Sequence, residues 1–304
     1  MVSTEAVPAV VDGLRPALAF PGQGIPLVDL AQTLHLHDDD LLDTLAEMIG
    51  TRDWDRIDLA DTRIAQPAIF TASLLSARSR LSPDAVHVVL GHSLGEISAL
   101  AFAGVLAEEV ALQLVHLRGE LCAGSASRSG KMVAIMNLEQ DALEWVRRSA
   151  IAATGGVLEV AAVNGRSQVV LSGDPDTVDA AISACGDLGG IGAVLPIGGG
   201  FHSPLMYPVV AGLRDALAGV KFSPPRVPVL STVDCRLRSA NIAEERELLA
   251  RSLVLPVRWH DAVKVVQALG VDRAVDAGPG QTLQKLGRRG GGLRFVHISE
   301  VDAA

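Results

Sequence analysis

The sequence predicts an α/β protein, an open and largely parallel sheet covered by helices, with a second, smaller sheet inserted into it. Three observations lead there. Of the 304 residues 49% are hydrophobic but only 3% aromatic, so the core has to be packed from aliphatic chains on helices and buried strands. Short apolar runs rich in β-branched residues alternate with longer alanine- and leucine-rich stretches, the rhythm of a parallel sheet. Between residues 131 and 197 that rhythm changes to β-α-β-β-α-β, with glycines on both sides.

In chain order, residues 1–16 read as a loose lead-in that stops at Pro16. Ala17–Phe20 is a short strand running into Pro21-Gly22-Gln23-Gly24, a loop at a strand's C-terminal end, where open α/β sheets line their ligand crevices. Its glycine spacing fits neither a dinucleotide fingerprint nor a P-loop. Leu27–Met48 is helical around a polar centre, His35–Asp40, and Asp58–Arg63 is a polar connection. Pro67 then stands as a first-turn proline of an apolar helix reaching Leu81, and Gln66 before it is either a cap or a side chain reaching a pocket.

Ala85–Leu90 is a buried strand and Leu94–Leu106 a helix, and between them lies Gly91-His92-Ser93-Leu94-Gly95-Glu96. Strand, Gly-x-Ser-x-Gly, helix is the setting of a nucleophile elbow, whose glycines permit a turn sharp enough to present the serine hydroxyl. A serine there also faces the unpaired amides of a helix N-terminus, which suit an oxyanion. The plainer alternative is a glycine turn with a serine cap. In the next helix, Glu108–Leu121, the stripe Ala111, Leu114, Val115, Arg118, Cys122 is apolar except for its arginine. A buried guanidinium is costly unless an anion meets it, so Arg118 is either paired with an internal carboxylate or held for a substrate carboxylate.

Within the insert, Lys131–Met136, Val157–Val163, Gln168–Ser172 and Ala193–Pro196 are the strands, and Glu139–Ala150 and Asp174–Cys185 the helices. Ser129-Gly130 and Gly198-Gly199-Gly200 bracket it, which divides the chain into a discontinuous core, residues 1–130 and 199–304, and a ferredoxin-like subdomain, residues 131–198. Directly after the glycines stands Phe201-His202-Ser203-Pro204, where His202 opens a helix and can face a cleft. The remainder returns to alternation: strands Pro228–Thr232, Val271–Ala277 and Leu293–Ile298, helices Ile242–Leu253, Trp259–Leu269 and Gln281–Gly287, with Lys285, Arg288 and Arg289 as a compact basic cluster.

Composition narrows the function. A net charge of −9 gives no reason to expect nucleic acid or an anionic membrane surface. The three cysteines, Cys122, Cys185 and Cys235, lack metal or disulfide spacing, so no metal site is expected. The N-terminus lacks the basic start and apolar core of a signal peptide, and no run reaches membrane-spanning length, which leads to the expectation of a cytoplasmic protein.

Ser93 and His202 together suggest nucleophilic acyl transfer, with the imidazole taking the hydroxyl proton and returning it to the leaving group. Glu159, Asp174, Asp176 and Asp187 lie between them in the chain, but none has the context of a triad acid.

The ordered motifs Phe20-Pro21-Gly22-Gln23-Gly24, Gln66-Pro67-Ala68, Gly91 to Glu96, Arg118, Phe201-His202 and Val275 to Gly280 resemble those of malonyl-CoA:acyl carrier protein transacylases and polyketide synthase acyltransferase domains, from about Ala17 to Ile298. The resemblance implies an α/β-hydrolase-like core with a ferredoxin-like insert. It makes Ser93 the acylated nucleophile and His202 the base, and the amides of Gln23 and Leu94 the oxyanion hole. It also implies that a main-chain carbonyl orients the histidine, at Arg258 in Pro256-Val257-Arg258-Trp259, and that Arg118 grips the malonyl carboxylate. Gln66, Asn164 and Phe201 match pocket positions; Phe201 before the histidine goes with malonyl rather than methyl-branched substrates.

The implied reaction is a ping-pong transfer of malonyl from malonyl-CoA to the phosphopantetheine thiol of an acyl carrier protein. No bound cofactor is needed, and the enzyme is expected to be a monomer. Carrier proteins are usually acidic, so Lys285, Arg288 and Arg289 are candidates for their landing surface. Ile25-Pro26 departs from relatives that continue the first motif with serine and glutamine. The alternatives are a polyketide acyltransferase for another acyl group, a serine-histidine thioesterase or hydrolase, and a non-catalytic docking module.

Overall fold

A computed structural model describes residues 15–124, 130–238, 241–290 and 293–301. The expected lead-in, up to residue 14, and Ser129 lie outside the described residues. The first half contains β1 (Ala17–Phe20), α1 (Leu27–His35), α2 (Asp40–Ile49), α3 (Thr62–Arg78), β2 (Val88–Gly91), α4 (Gly95–Phe102) and α5 (Glu108–Gly124). There follow β3 (Lys131–Met136), α6 (Gln140–Thr154), β4 (Leu158–Gly165), β5 (Gln168–Gly173), α7 (Pro175–Asp187) and β6 (Ile191–Val194). The chain ends with α8 (Tyr207–Ala218), β7 (Val229–Leu230), α9 (Ile242–Arg251), α10 (Trp259–Ala268), β8 (Arg273–Asp276), α11 (Thr282–Gly290) and β9 (Arg294–His297).

Five strands form a parallel sheet in the order β7-β2-β1-β8-β9. Every residue of β1 and β2 is buried, as the continuous apolar runs require when both faces of a sheet are covered. Phe20 pairs with Gly91 in the register of these central strands. The loop after β1 and the turn after β2 therefore leave the sheet side by side, which brings Gln23 to Ser93.

The second sheet is antiparallel, in the order β4-β5-β3-β6. Numbered within the unit this is 2-3-1-4, the ferredoxin-like arrangement of a βαββαβ segment. Its strands alternate: Val133, Ile135 and Leu171 pack under α6 and α7, while Met132, Ala134 and Val170 face the core.

Several elements differ from the sequence reading. Leu27–Met48 is two helices, because Asp39 breaks the first and caps α2, its carboxylate accepting from the Leu41 amide at 3.0 Å. α3 begins at Thr62, capped by Asp61, so Pro67 lies inside the helix rather than in its first turn. The helix tolerates it because tertiary burial of nearly every position from Ala65 to Ala77 outweighs local propensity. β6 starts two residues earlier than expected, since Ile191–Val194 pairs with β3 and Pro196 has no amide to extend the ladder.

Candidate active site

The turn from β2 into α4 holds Ser93 at φ 54°, a left-handed conformation that costs a non-glycine residue energy and marks sites where the surrounding structure enforces it. The flanking glycines permit the turn for a steric reason. A Cβ on Gly91 would sit 1.9 Å from the Gly95 carbonyl carbon, and one on Gly95 would sit 2.1 Å from the Phe20 oxygen. Strand and helix thus approach so closely that no side chain fits at either position. The Gly95 and Glu96 amides are bonded back to His92 and Ser93 carbonyls, both at 3.0 Å. Those of Leu94 and Gln23 have no protein acceptor among the described residues. Two free amides beside the serine are what an oxyanion needs. The glutamate that ends the hexapeptide does something else: Glu96 is buried and ion-paired with Arg238, which also meets Glu245, clamping α4 to the segment before α9.

His202 also stands at positive φ, 59°. It does not open a helix; Ser203 next to it caps a single 3₁₀ turn, Pro204–Met206, and α8 begins only at Tyr207. The imidazole Nε2 lies 2.8 Å from Ser93 Oγ, so the hydroxyl and the ring, 109 residues apart in the chain, meet. Nδ1 lies 2.9 Å from the Leu255 carbonyl and 3.0 Å from that of Ser252. A carbonyl can only accept, so the proton is on Nδ1 and Nε2 is left to accept from the serine. The orienting carbonyl is therefore not that of Arg258. The Arg258 oxygen accepts the Ala262 amide at 2.9 Å as the first turn of α10 forms, while its guanidinium pairs with Asp261 at the surface. Burial lowers the His202 pKa to about 4; the backbone carbonyls oppose this and the Arg118 charge reinforces it. The ring is neutral near pH 7.

Arg118 is 4% exposed, within the buried stripe that the α5 sequence marks out. Nη1 donates to Gln66 Oε1 at 2.5 Å and Nη2 to Ser93 Oγ at 3.3 Å. Among the described residues no carboxylate forms an ion pair with it. Of the two readings left open by the sequence, the internal salt bridge is not what the structure contains. Gln66, in the body of α3, is no cap: it accepts from Arg118 and donates Nε2 to Gln23 Oε1 at 3.1 Å, fixing its own amide orientation.

Ser93, His202, Arg118 and Gln23 line a cavity of about 230 Å³ between the two sheets, walled by Met132, Ala134 and Ala162 of the insert, by Phe201, and by Leu283 and Leu286 of α11. Asn164, also on the wall, meets His92 rather than the serine. Asp276 at the end of β8 anchors α11 beside the cavity, accepting the amides of Gly278, Leu283 and Gln284 at 3.1, 2.9 and 3.2 Å. Burial raises its pKa to about 6 against the pull of those donors. Lys285 and Arg288 are exposed on α11; the side chain of Arg289 lies outside the described residues.

Sequence reasoning passed over His92, Leu255 and Ser252. His92 sat within the motif without a role of its own, and a residue that acts through its carbonyl carries no side-chain signal.

The family described as acyl transferase domain matches residues 35–294. The chain is 32% identical to the malonyl CoA-acyl carrier protein transacylase of Escherichia coli (strain K12) over 286 residues, 90% of this chain and 92% of that one. It is 36% identical over 231 residues to polyketide synthase GfsB of Streptomyces halstedii, covering 75% of this chain but 4% of that much longer protein. Among solved structures, the malonyl CoA-acyl carrier protein transacylase from Coxiella burnetii superposes with a TM-score of 0.84 at 28% identity, over 96% of both chains. A type II polyketide acyl-carrier protein in complex with its malonyl-transacylase gives a TM-score of 0.80 at 28% identity, over 93% of this chain and 95% of that one.

Proposed function

Because the chain belongs to the acyl transferase family, we propose that it moves a malonyl group from malonyl-CoA to the phosphopantetheine thiol of an acyl carrier protein, in fatty-acid or polyketide synthesis. The observation that carries the proposal is Arg118: a buried cation beside Ser93 and His202, without a carboxylate partner among the described residues. A hydrolase of simple esters has no use for such a group, whereas a malonyl thioester brings a carboxylate to it.

In the first half-reaction the malonyl carboxylate lies on Arg118. Ser93 Oγ attacks the thioester carbon as its proton passes to His202 Nε2, and the oxyanion is held by the amides of Gln23 and Leu94. The C–S bond then breaks, and Nε2–H protonates the departing coenzyme A sulfur. In the second half the carrier's thiol gives its proton to the same nitrogen and its sulfur attacks the ester. The C–Oγ bond breaks and the serine recovers its proton.

The Nδ1–H bonds to Leu255 and Ser252 keep one tautomer throughout, the service an aspartate gives in a triad. Gln66 and Gln23 hold the guanidinium and the loop in place, Phe201 narrows the acyl space, and Lys285 and Arg288, on the helix that also lines the cavity, are the landing surface for an acidic carrier. The chemistry asks for no resident cofactor. A monomer working in the cytoplasm fits this reading, and no helix among the described residues is long and apolar enough to cross a membrane.

Incubation with malonyl-CoA, followed by intact-protein and peptide mass spectrometry, tests the proposal. One malonyl group on Ser93, stable until a holo carrier protein is added, is expected. Label lost to water at the same rate with and without carrier makes the protein a thioesterase instead.

A further inference from the structure

Strand β4 of the inserted sheet reaches the supports of both Ser93 and His202. Its Asn164 is buried, and Oδ1 lies 2.9 Å from His92 Nε2, so the ring of the residue preceding Ser93 donates to the insert. The same ring packs on Trp259, with centroids 5.6 Å apart. Along its backbone, β4 pairs with Val257: the Val257 amide donates to Ala161 O and the Val163 amide to Val257 O, each at 2.9 Å. Two residues before Val257 is Leu255, whose carbonyl holds His202 Nδ1.

The circuit closes on the core side. The Arg258 amide donates to Thr232 O at 2.6 Å, and Thr232 Oγ1 donates to Gly91 O at 2.7 Å, two residues before the nucleophile. Elbow, histidine support and insert are thus joined in one hydrogen-bonded ring, and Asn164 is where the insert enters it. Ala162, on the same strand, walls the cavity.

We infer that Asn164, acting through His92, is a positioning residue that keeps Ser93 and His202 at hydrogen-bonding distance, so that the seating of the inserted sheet sets the geometry of attack. This rests on the reading of Ser93 as nucleophile and His202 as base. A residue that only lines the acyl pocket would act on substrate affinity; a positioning residue acts on the rate of the bound complex.

The test measures single-turnover formation of malonyl-Ser93 by rapid quench and mass spectrometry across malonyl-CoA concentrations. The proteins are wild type, Asn164→Leu, His92→Phe and the double variant. Phenylalanine keeps a ring against Trp259, and leucine keeps the volume of asparagine. Each single change removes one hydrogen bond and strands a buried partner, so the maximal rate should fall about tenfold with half-saturation moving less than about threefold. The double variant should be no slower than the worse single, because one bond is lost once and nothing polar is left stranded.

Multiplying losses, about a hundredfold in the double variant, would overturn the inference, as would unchanged rates or a raised half-saturation with an unchanged maximal rate. Thermal unfolding is followed alongside, and Asn164→Ala replaces Asn164→Leu if leucine does not fold. Ser93→Ala separates the two levels of argument. If it still takes up malonyl, the nucleophile reading falls and the inference with it; if it is inert, the cycle judges Asn164 alone.

Discussion

Replacing Arg118 with alanine separates a guanidinium kept for substrate from one kept for packing. With malonyl-CoA the variant loses a bidentate charge-assisted contact, each hydrogen bond contributing about 1.5–3 kcal/mol, so kcat/KM should fall by roughly 10²–10⁴. Acetyl-CoA has no carboxylate. For it the variant loses only the long 3.3 Å approach of Nη2 to Ser93 Oγ, and the rate should change by less than about fivefold. The fold need not suffer much. Gln66 Oε1 loses its donor, a cost of about 1–3 kcal/mol, but an unpaired buried cation is removed at the same time. Intact-protein mass spectrometry of the acyl-enzyme formed from an equimolar mixture of malonyl- and acetyl-CoA reads the preference directly, with thermal unfolding as the control for folding. Equal losses on both substrates would refute the reasoning and make the arginine structural.

Other expectations follow from the same geometry. Gly95→Ala drives a Cβ against the Phe20 carbonyl and should destabilise the protein by at least ~3 kcal/mol and abolish acylation; a stable, active variant in a melting experiment contradicts the elbow packing. Since the His202 pKa is depressed to about 4, the acid limb of kcat/KM should fall near pH 4; a limb at pH 6.5 would mean the ring is hydrated. The same depression gives a sign for stability: neutral burial of His202 contributes fully above pH 6.5 and is lost as pH falls through 4, about 3 kcal/mol in all. Asp276, raised to about 6, runs the other way, its contribution present below 3.8 and lost as pH rises through 6, so the His202 effect is read as the difference from His202→Gln in urea titrations. Lys285→Glu with Arg288→Glu should slow transfer to the carrier about five- to tenfold more than it slows acylation by malonyl-CoA, and added salt should narrow the gap; equal slowing removes α11 from the docking surface.

What could be read from the sequence is what local chemistry determines. Ala17–Phe20 and Lys131–Met136 coincide with their strands because continuous apolar runs, and alternating ones, leave little choice of face. The hexapeptide announces the elbow because its two glycines are where the turn leaves no room for a side chain, Gly91 against Gly95 within the motif and Gly95 against the Phe20 carbonyl. Arg118 could be singled out because a charge on an apolar stripe breaks the pattern. Contacts made by main chain across long separations are another matter. Leu255 acts through an oxygen that every residue possesses, and only the fold decides that it, rather than Arg258, faces His202; at Arg258 the start of α10 had already claimed the carbonyl.

The same distinction accounts for the two strained residues. Ser93 and His202 both sit at positive φ, each after a glycine-containing approach, and neither residue type favours that conformation by itself. For Ser93 the strain is enforced by the close crossing of β2 and α4; for His202 it is enforced from outside, by Nδ1 bonds to residues 50 and 53 positions later. A hydroxyl fixed by local sterics therefore meets an imidazole fixed by tertiary structure. Changes far from the cavity, in the Ser252–Val257 segment, act on the histidine half of the pair and leave the elbow intact. Val257→Pro, which removes the amide bonded to Ala161, should accordingly lower the rate of Ser93 acylation by about tenfold or more while the β2–α4 crossing stays protected in hydrogen exchange. Loss of protection at Leu94 to Ile97 in that variant would show that the two halves are not separately held.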